Sequence, residues 1–264
     1  MATVIAEVSQ FYAQIARGEL RSSLNVDKIG FLNVGYWTAG ADTLERAQIH
    51  LIETLVEFFS RTDGTILDVA CGKGASTKFL TKYFDPAKIT GINISQIQLQ
   101  LCRATVPECT FRLMDATELD LPDESIDNVL CIEAAQHFMT RAKFLGEAFR
   151  VLTPGGKLAI HDIVLSNPDR SDAPRAELWP KENYMATLQS YKSQLLALGF
   201  KHVRIEDVTE FSVIALARCL IRKLEKDSDR MSQDEALEFN MSILEGRSPW
   251  APQNCAFCLV YAIK

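Results

Sequence analysis

The stretch Thr65–Phe79, TILDVACGKGASTKF, combines a short apolar run, a glycine turn and a helix-forming segment. The apolar run follows Gly64 and is too short for a helix, so it predicts a buried parallel strand that ends near Asp68. Gly72 and Gly74 permit backbone torsions with positive φ and let a ligand approach the main chain without a Cβ in the way. The next helix begins with unpaired N–H groups, which favour a polar or anionic ligand group. Open α/β sheets bind cofactors at the carboxyl ends of such strands, so we predict a cofactor site here.

Strand-like and helix-like segments alternate from this turn to the carboxyl end of the chain. The predicted strands are Ile66–Ala70, Lys88–Ile94, Cys109–Met114, Ile126–Glu133, Lys157–Leu165, His202–Val208 and Cys255–Ile263. The predicted helices are Ala75–Phe84, Ser95–Thr105, Thr140–Leu152, Met185–Leu198, Glu210–Lys226 and Ser232–Leu244. Repeated strand–helix units of this kind predict an α/β fold with a doubly wound, mostly parallel sheet.

The chain before Gly64 follows a different pattern. Residues 1–24 have the apolar spacing of an amphipathic helix. Ile29–Thr38 is aromatic and has no helical period, so we predict a loop there. Asp42 and Glu45 have the spacing of a capping box, which predicts a second helix beginning after Asp42.

Composition and charge exclude several classes of protein. The chain has 264 residues, a formal net charge of −6 and a pI near 5.4. These values argue against nucleic acid as the main partner, because phosphate neutralisation needs clustered Lys and Arg. The N-terminal segment lacks the basic region of a secretory signal, and no run approaches the ~18 apolar residues of a membrane span. We therefore expect a cytoplasmic protein with no membrane span.

The seven cysteines are scattered among apolar runs, and their odd number favours reduced core thiols. Cys255 and Cys258 have the spacing of a metal-binding pair, but no second pair or histidine cluster accompanies them. Because they lie inside the strand-like run CAFCLVYAI, packing is the favoured interpretation.

The glycine turn also indicates which cofactor binds. It departs from the dinucleotide fingerprint G-x-G-x-x-G, since Thr77 occupies the third glycine position, and it lacks the phosphate-loop motif. The sequence D-V-A-C-G-K-G resembles the first motif of class I S-adenosylmethionine-dependent methyltransferases. Ala70 and Cys71 stand where that motif varies most, and Gly72 and Gly74 match its last two glycines. A purely structural turn would look the same, so the other motifs have to support the resemblance.

A second motif position follows the second predicted strand, in GINISQIQL. Family members usually place an acid there to bind both ribose hydroxyls, and Asn93 occupies this position. The pattern formed by Ser95 and Gln98 is similar to that of the tocopherol, sterol and small-natural-product branch. The resemblance implies that Asn93 and Gln98 bind the ribose part of the cofactor and that Ile94 also contacts the cofactor. An amide can accept one hydroxyl and donate to another, although a simple turn before the helix is the alternative.

A third motif position closes the third predicted strand. Met114-Asp115-Ala116 resembles the family's adenine contact, in which an acid accepts the exocyclic amine. The phrase D-L-P-x-x-S-I-D, from Asp120 to Asp127, is a family signature. The resemblance therefore implies that Asp115 and Ala116 bind adenine, with a strand-ending turn as the alternative for Asp115.

The segment CIEAAQHFMTR follows the fourth predicted strand, and in the resembling branch it faces both the sulfonium and the acceptor. Glu133 and His137 are four residues apart, so on a helical turn they share one face. A carboxylate or an imidazole beside a methyl donor can remove a proton from the acceptor. His161, next to Asp162 at the end of the fifth predicted strand, is another candidate base.

Glu133, His137 and His161 are thus the predicted catalytic residues, and Glu133 and His137 are also expected to contact the cofactor. Packing against the cofactor edge and backbone hydrogen bonding stay open as their alternative roles. With Asp162 these side chains could bind magnesium or iron, but their spacing does not resemble the metal motif of catechol methyltransferases. We predict no metal site.

Aromatic residues near the N-terminus resemble the family's lid, which closes over the donor. The resemblance implies cofactor contacts for Tyr12 and for Tyr36 in the GYW loop, because electron-rich rings favour a sulfonium. Helix packing is the alternative for Tyr12. The resemblance also implies an N-terminal helical lid at 1–60 and a methyltransferase core at 61–264.

Two parts of the core interrupt the alternation of strands and helices: an insert at 166–186 and a late helix and loop at 227–254. The resemblance implies that they lie on the acceptor side. Trp179, Tyr184 and Trp250 in these parts suggest a flat or lipophilic substrate, although packing of the cap is equally compatible with them.

The resemblance implies a Rossmann-like, seven-stranded sheet whose seventh strand lies antiparallel beside the fifth. It also implies that S-adenosylmethionine gives its methyl group to a small organic acceptor, aromatic or lipophilic. O-, N- and C-methylation stay open, and so does a homo-oligomer. Two other functions stay open as well: a nucleotide-dependent oxidoreductase, disfavoured by Thr77 and Asp115, and a non-catalytic cofactor-binding partner, disfavoured by the intact donor motifs.

Overall fold

The computed structural model describes residues 6–11, 14, 30–38, 40–59, 61–165, 180–183, 185, 187–224, 234–248, 251–252 and 254–264. Its strands are β1 (Ile66–Val69), β2 (Ile89–Asn93), β3 (Thr110–Leu113), β4 (Ile126–Ile132), β5 (Leu152–Leu165), β6 (Lys201–Asp207) and β7 (Cys255–Ile263). They form a seven-stranded sheet in the spatial order β3-β2-β1-β4-β5-β7-β6. The strands from β3 to β5 pair in parallel, and β7 lies antiparallel between β5 and β6. The predicted sheet is therefore confirmed.

Helices connect these strands. They are α1 (Leu44–Val56), α2 (Ala75–Leu80), α3 (Gln96–Thr105), α4 (Arg141–Val151), α5 (Leu188–Leu198), α6 (Ala215–Leu224) and α7 (Asp234–Leu244). Short 3₁₀ turns lie at Pro86–Lys88, Ala135–His137 and Lys181–Asn183, and a π-helical turn lies at Glu210–Ile214. None of the helices in the described ranges has both the length and the apolar character that a bilayer crossing requires.

The sheet separates two buried apolar clusters, one on each face. One cluster includes Leu55 of α1, Leu99 of α3 and Ala217 of α6. The other includes Phe144 of α4 and Tyr191 of α5. Helices therefore cover both faces, which explains why the second half of β5, from Leu158 to Leu165, is apolar apart from His161 and Asp162.

The order of the strands reverses between β1 and β4. From β1 the chain crosses to β2 and then to β3 on one side, and it returns to β4 on the other side. Crossovers that leave in opposite directions open a crevice outside the carboxyl ends of β1 and β4, and doubly wound folds bind ligands at such points. The glycine turn that follows β1 lies at this position.

Several predicted boundaries were wrong. The N-cap of α1 is Thr43, whose hydroxyl accepts from the Arg46 amide at 3.2 Å, so the capping box at Asp42 does not form. Strand β5 begins at Leu152, five residues before the predicted start. The helix predicted from Glu210 begins with the π-helical turn, and α6 follows from Ala215.

Parts of the predicted N-terminal region and cap can be compared with the structure. Residues 6–11 and 14 are helical, in agreement with a helix at 1–24, and residues 30–38 are neither helix nor strand. Most of the insert at 166–186 lies outside the described residues, as do Tyr12, Trp179, Tyr184 and Trp250. The division into a lid at 1–60 and a core at 61–264 stays a prediction.

Candidate active site

A cavity opens at the carboxyl ends of β1, β2, β3 and β4. It encloses about 1130 Å³ of space between atoms, a figure that includes its open mouth. Its walls come from the glycine turn, the three other strand ends and the N-terminal segment. The predicted site residues on these walls are Asp68, Ala70, Gly72, Asn93, Ile94, Gln98, Asp115, Ala116, Glu133 and His137.

The glycine turn is a tight backbone cradle. Ala70, Gly72 and Gly74 have φ values of 57°, 55° and 88°, a region that favours glycine. A Cβ on Gly74 would stand 3.2 Å from the sulfur of Cys102, and one on Gly72 would stand 3.4 Å from Leu32 Cδ1. Gly72 thus lines the cavity, whereas Gly74 caps α2 and packs against α3 behind it.

Asp68 is buried at the end of β1, next to this turn. Its Oδ2 accepts hydrogen bonds from the hydroxyls of Thr77 at 2.7 Å and Ser76 at 2.8 Å. Burial raises the pKa of Asp68 to about 6, although these two hydrogen bonds oppose the rise. Thr77, which argued against a dinucleotide fingerprint, therefore holds the carboxyl group in place.

The second motif forms a chain of buried amides. Asn93 Oδ1 accepts from the backbone amide of Ser95 at 2.9 Å, and Asn93 Nδ2 donates to Gln98 Oε1 at 2.9 Å. The Nε2 group of Gln98 is buried and has no hydrogen-bond partner among the residues that the structure describes. A buried donor without a partner is costly, so this cavity wall fits a ligand that supplies an acceptor, such as a ribose hydroxyl.

Asp115 lies at the end of β3, where one of its carboxylate oxygens closes a turn. Oδ1 accepts from the backbone amide and the hydroxyl of Thr117, at 2.8 Å and 2.9 Å. Oδ2 accepts no hydrogen bond from the described residues and remains able to accept from a ligand amine. The turn interpretation and the ligand interpretation of Asp115 are therefore compatible.

Glu133 links the end of β4 to the N-terminal loop. Its Oε1 accepts from the Val34 amide at 2.8 Å and lies 3.1 Å from His161 Nδ1, without the alignment of a hydrogen bond. The His161 ring is fully buried, lies 3.4 Å from the Ser212 hydroxyl and does not line the cavity. The structure thus brings His161 to Glu133 rather than to the cavity space.

His137 lies on the cavity wall together with Phe138 and Met139. It ends the 3₁₀ turn Ala135–His137, and Glu133, with φ of 49°, lies before this turn. The predicted helical turn that would place Glu133 and His137 on one face is therefore wrong. Both side chains nevertheless border the same cavity.

Other predicted features lie away from the cavity. Tyr36 does not line it, because its ring stacks on His50 with centroids 5.5 Å apart and meets the edge of Phe211. Asp162 is bonded to Arg141 Nε at 2.7 Å, so it is not directed toward the histidines. Among the described residues no group of three or more potential ligands has a metal-binding arrangement.

One wall of the cavity comes from residues that the sequence did not mark as site residues. Phe31, Leu32 and Asn33 of the loop line it, together with Val8 and Ser9. Two hydrogen bonds hold Asn33: the Gly35 amide donates to Asn33 Oδ1, and Gln48 Nε2 donates to the Asn33 carbonyl oxygen. The residues GFLN that precede GYW contain no local pattern for these contacts, which come from packing on α1.

A seven-stranded, doubly wound sheet with a cavity over a glycine turn, at the point where the strand order reverses, has the architecture of a Rossmann-like enzyme that binds a nucleoside cofactor. A methyltransferase domain family matches residues 67–160. Erythromycin 3''-O-methyltransferase of Saccharopolyspora erythraea is 31% identical over 76% of this chain and 72% of its own length. The 27-O-demethylrifamycin SV methyltransferase of Amycolatopsis mediterranei is 29% identical over 80% and 82%. The cyclopropane synthase MmaA2 of Mycobacterium tuberculosis shares the fold, with a TM-score of 0.72 at 20% identity over 96% and 98%.

The chain belongs to the class I S-adenosylmethionine-dependent methyltransferases that act on small molecules. Its cofactor is S-adenosylmethionine, and the oxidoreductase alternative is not favoured. The buried donor of Gln98 and the Gly72 cradle both fit this nucleoside.

Proposed function

We propose that the cavity binds the methyl donor in three parts. Asp68 and Gly72 receive the methionine half, with the Asp68 carboxylate directed at its ammonium group, and Gly74 shapes the turn from behind the cavity wall. Asn93, Ile94 and Gln98 bind the ribose, and Asp115 with Ala116 binds the adenine. Support comes from the unpartnered Gln98 Nε2 and from the open side of Asp115.

For the acceptor, we infer a hydroxyl group on a lipophilic small molecule and assign the role of base to His137. The observation that carries this proposal is that His137 lines the cavity between apolar neighbours, whereas the other histidines of the described chain do not line it. Two relatives whose names specify O-methylation support an oxygen acceptor: erythromycin 3''-O-methyltransferase and the O-methyltransferase cnsE. Phe31, Leu32, Phe138 and Met139 supply the apolar surface.

Bound S-adenosylmethionine supplies a methyl group that its sulfonium already activates. The imidazole of His137 takes the hydroxyl proton, and the acceptor oxygen forms the new bond to carbon as the carbon–sulfur bond breaks. Phe138 and Met139 exclude water from this space, and the remaining contribution of the site is to hold the reacting atoms in line.

In this proposal Glu133 and His161 do not act as bases, and their role is to hold neighbouring parts of the site in place. Because Glu133 Oε1 receives the Val34 amide, its charge holds the loop 30–38 against β4. His161 lies behind Glu133, on the side away from the cavity, with its Nδ1 3.1 Å from Glu133 Oε1.

Transfer from a trideuteromethyl donor to a panel of lipophilic alcohols, phenols and amines tests the reaction. We expect His137→Ala to lose about 10²–10⁴-fold in rate on an alcohol or phenol, the usual contribution of general base catalysis. The matched control is His202→Asn, because His202 is exposed on β6 and tolerates an asparagine at its positive φ of 50°. Wild-type rates for His137→Ala, or label on amines alone, would contradict the proposal.

A further inference from the structure

A buried cluster beside the carboxyl end of β5 joins Lys181–Asn183 to the turn that carries His137. We propose that Asn183 is a positioning residue for the methyl transfer, which fixes His137 by holding both ends of the segment that contains it. This inference rests on the role proposed for His137. Asn183 does not line the cavity, so it acts through the segment alone.

The side-chain amide of Asn183 binds two separate elements. Its Nδ2 donates to the carbonyl oxygen of Ala135 at 2.6 Å, and its Oδ1 accepts from the backbone amide of Arg141 at 2.5 Å. Ala135 begins the 3₁₀ turn, and Arg141 is the first residue of α4. The cavity-lining residues His137, Phe138 and Met139 lie between these two points, so one buried amide holds both ends of this wall.

The anchor for Asn183 is a buried ion pair. The Arg141 guanidinium donates to both oxygens of Asp162, at 2.7 Å and 3.2 Å, and to the carbonyl oxygens of Ile163 and Asn183. Arg141 and Asp162 are almost fully buried. Burial alone would lower the pKa of Arg141, but the attraction of Asp162 raises it, so the guanidinium stays charged. Asn183 is therefore fixed to β5 through its main chain, whatever its side chain.

Only an amide satisfies both contacts. A carboxylate of the same shape can accept from the Arg141 amide, but its second oxygen would face the Ala135 carbonyl, and two acceptors repel. An alanine loses both bonds and adds no charge. In both variants the Arg141 contacts to Asp162 and to the main chain of residue 183 remain, so we expect the fold to be retained.

Histidine resonances test this inference without an acceptor. The chain has four histidines, and with ¹³C-labelled imidazoles each gives one signal that can be assigned by substitution. In protein saturated with S-adenosylhomocysteine, we expect Asn183→Ala to displace or broaden the His137 signal and to leave those of His50 and His202 in place. Asn183→Asp should displace it too, because its second carboxylate oxygen would face the Ala135 carbonyl oxygen. Because Asn183→Ala adds no charge, a displaced His137 signal in that variant reports a change in the position of the His137 ring.

The matched control is Thr187→Ala, which removes the N-cap of α5 a few residues further along the chain. We expect it to lower Tm by about 2–4 °C and leave the His137 signal unchanged. An unmoved His137 signal in folded Asn183→Ala overturns the positioning role. That result leaves the proposed function intact, whereas a wild-type rate for His137→Ala removes the base itself, so the two failures are distinguishable.

Discussion

The carboxyl group of Asp68 makes the cofactor site sensitive to pH. Burial raises its pKa to about 6, against an ordinary value of 3.8. Between these values the folded chain binds the proton more tightly than the unfolded chain, so raising the pH through this window lowers stability. Two pH units correspond to a cost on the order of 3 kcal/mol, absent below pH ~4 and complete above pH ~6.

Asp68→Asn should therefore stabilise the protein when no donor is present. We expect a higher Tm than that of the wild type near pH ~8, where the buried charge is removed, and little difference near pH ~4. Thermal unfolding at both pH values measures this. Equal differences in Tm at the two pH values would mean that the Asp68 charge is not the cause.

The same substitution should weaken binding of the donor if Asp68 receives the ammonium group, as proposed. A charged hydrogen bond contributes about 1.5–3 kcal/mol, so Kd for S-adenosylhomocysteine should rise roughly 10–100-fold near neutral pH. The wild type should also bind more weakly as the pH falls through about 6, because the carboxylate becomes protonated, and the variant should not. Calorimetry across this range measures both effects.

Single residues of the site were predictable where a motif marks a strand end. Asp68 lies in β1, Asn93 ends β2 and Asp115 follows β3, and all three line the cavity. Tyr36 shows why aromatic character was a poor guide, since stacking on His50 of α1 directs its ring elsewhere. The bond from Glu133 to Val34 spans 99 positions, so no local pattern marks it.

Among the elements, the loop 30–38 depends on two contacts that come from distant parts of the chain. The Val34 amide donates to Glu133, and the Trp37 amide donates to the carbonyl oxygen of Phe211 in the π-helical turn at 2.6 Å. Phe31 and Leu32 of this loop line the cavity. Glu133 thus helps to hold the loop that closes one side of the cofactor site.

Glu133→Ala should release this loop, whereas Glu133→Gln keeps an acceptor for the Val34 amide and serves as the matched control. Losing a charge-assisted bond should speed dissociation of S-adenosylhomocysteine by about 10–100-fold. Amide hydrogen exchange at Val34 should rise in the alanine variant. Stopped-flow dissociation and exchange mass spectrometry measure the two effects, and a slow off-rate in Glu133→Ala would argue against the contact.

Elements with a clear apolar period were predicted well, and their ends less well. The bounds of β7 agree at both ends because the run Cys255–Ile263 is apolar and buried on both faces. Leu152 was assigned to α4, but β5 begins at this residue. The two glycines after Pro154 indicated the end of a helix, whereas they belong to an irregular first part of β5 that pairs with β4. The π-helical turn at Glu210–Ile214 was not predicted, because its sequence reads as the start of an ordinary helix.

At the scale of the whole molecule, the sheet order came from the family resemblance and not from any local pattern. Alternating units predict a parallel sheet, but β7 pairs antiparallel with β5 across a long separation in sequence. The position of the cavity does follow from physics, because the reversal at β1 and β4 opens a crevice wherever such crossovers occur. The part that sequence could not supply is the wall made by the N-terminal loop.

A cofactor bound in the cavity should stabilise the folded chain, and a rise in Tm on adding a ligand therefore tests which cofactor the cavity binds. A ligand that binds only the folded chain adds about 2.7 kcal/mol at a concentration one hundred times its Kd. For a chain of this length we expect S-adenosylhomocysteine to raise Tm by about 5–10 °C. NAD should give no shift, because Thr77 replaces the third glycine and its hydroxyl is bonded to Asp68 at 2.7 Å. Thermal unfolding with each ligand decides the matter, since a shift with NAD alone would assign the cavity to a different nucleotide.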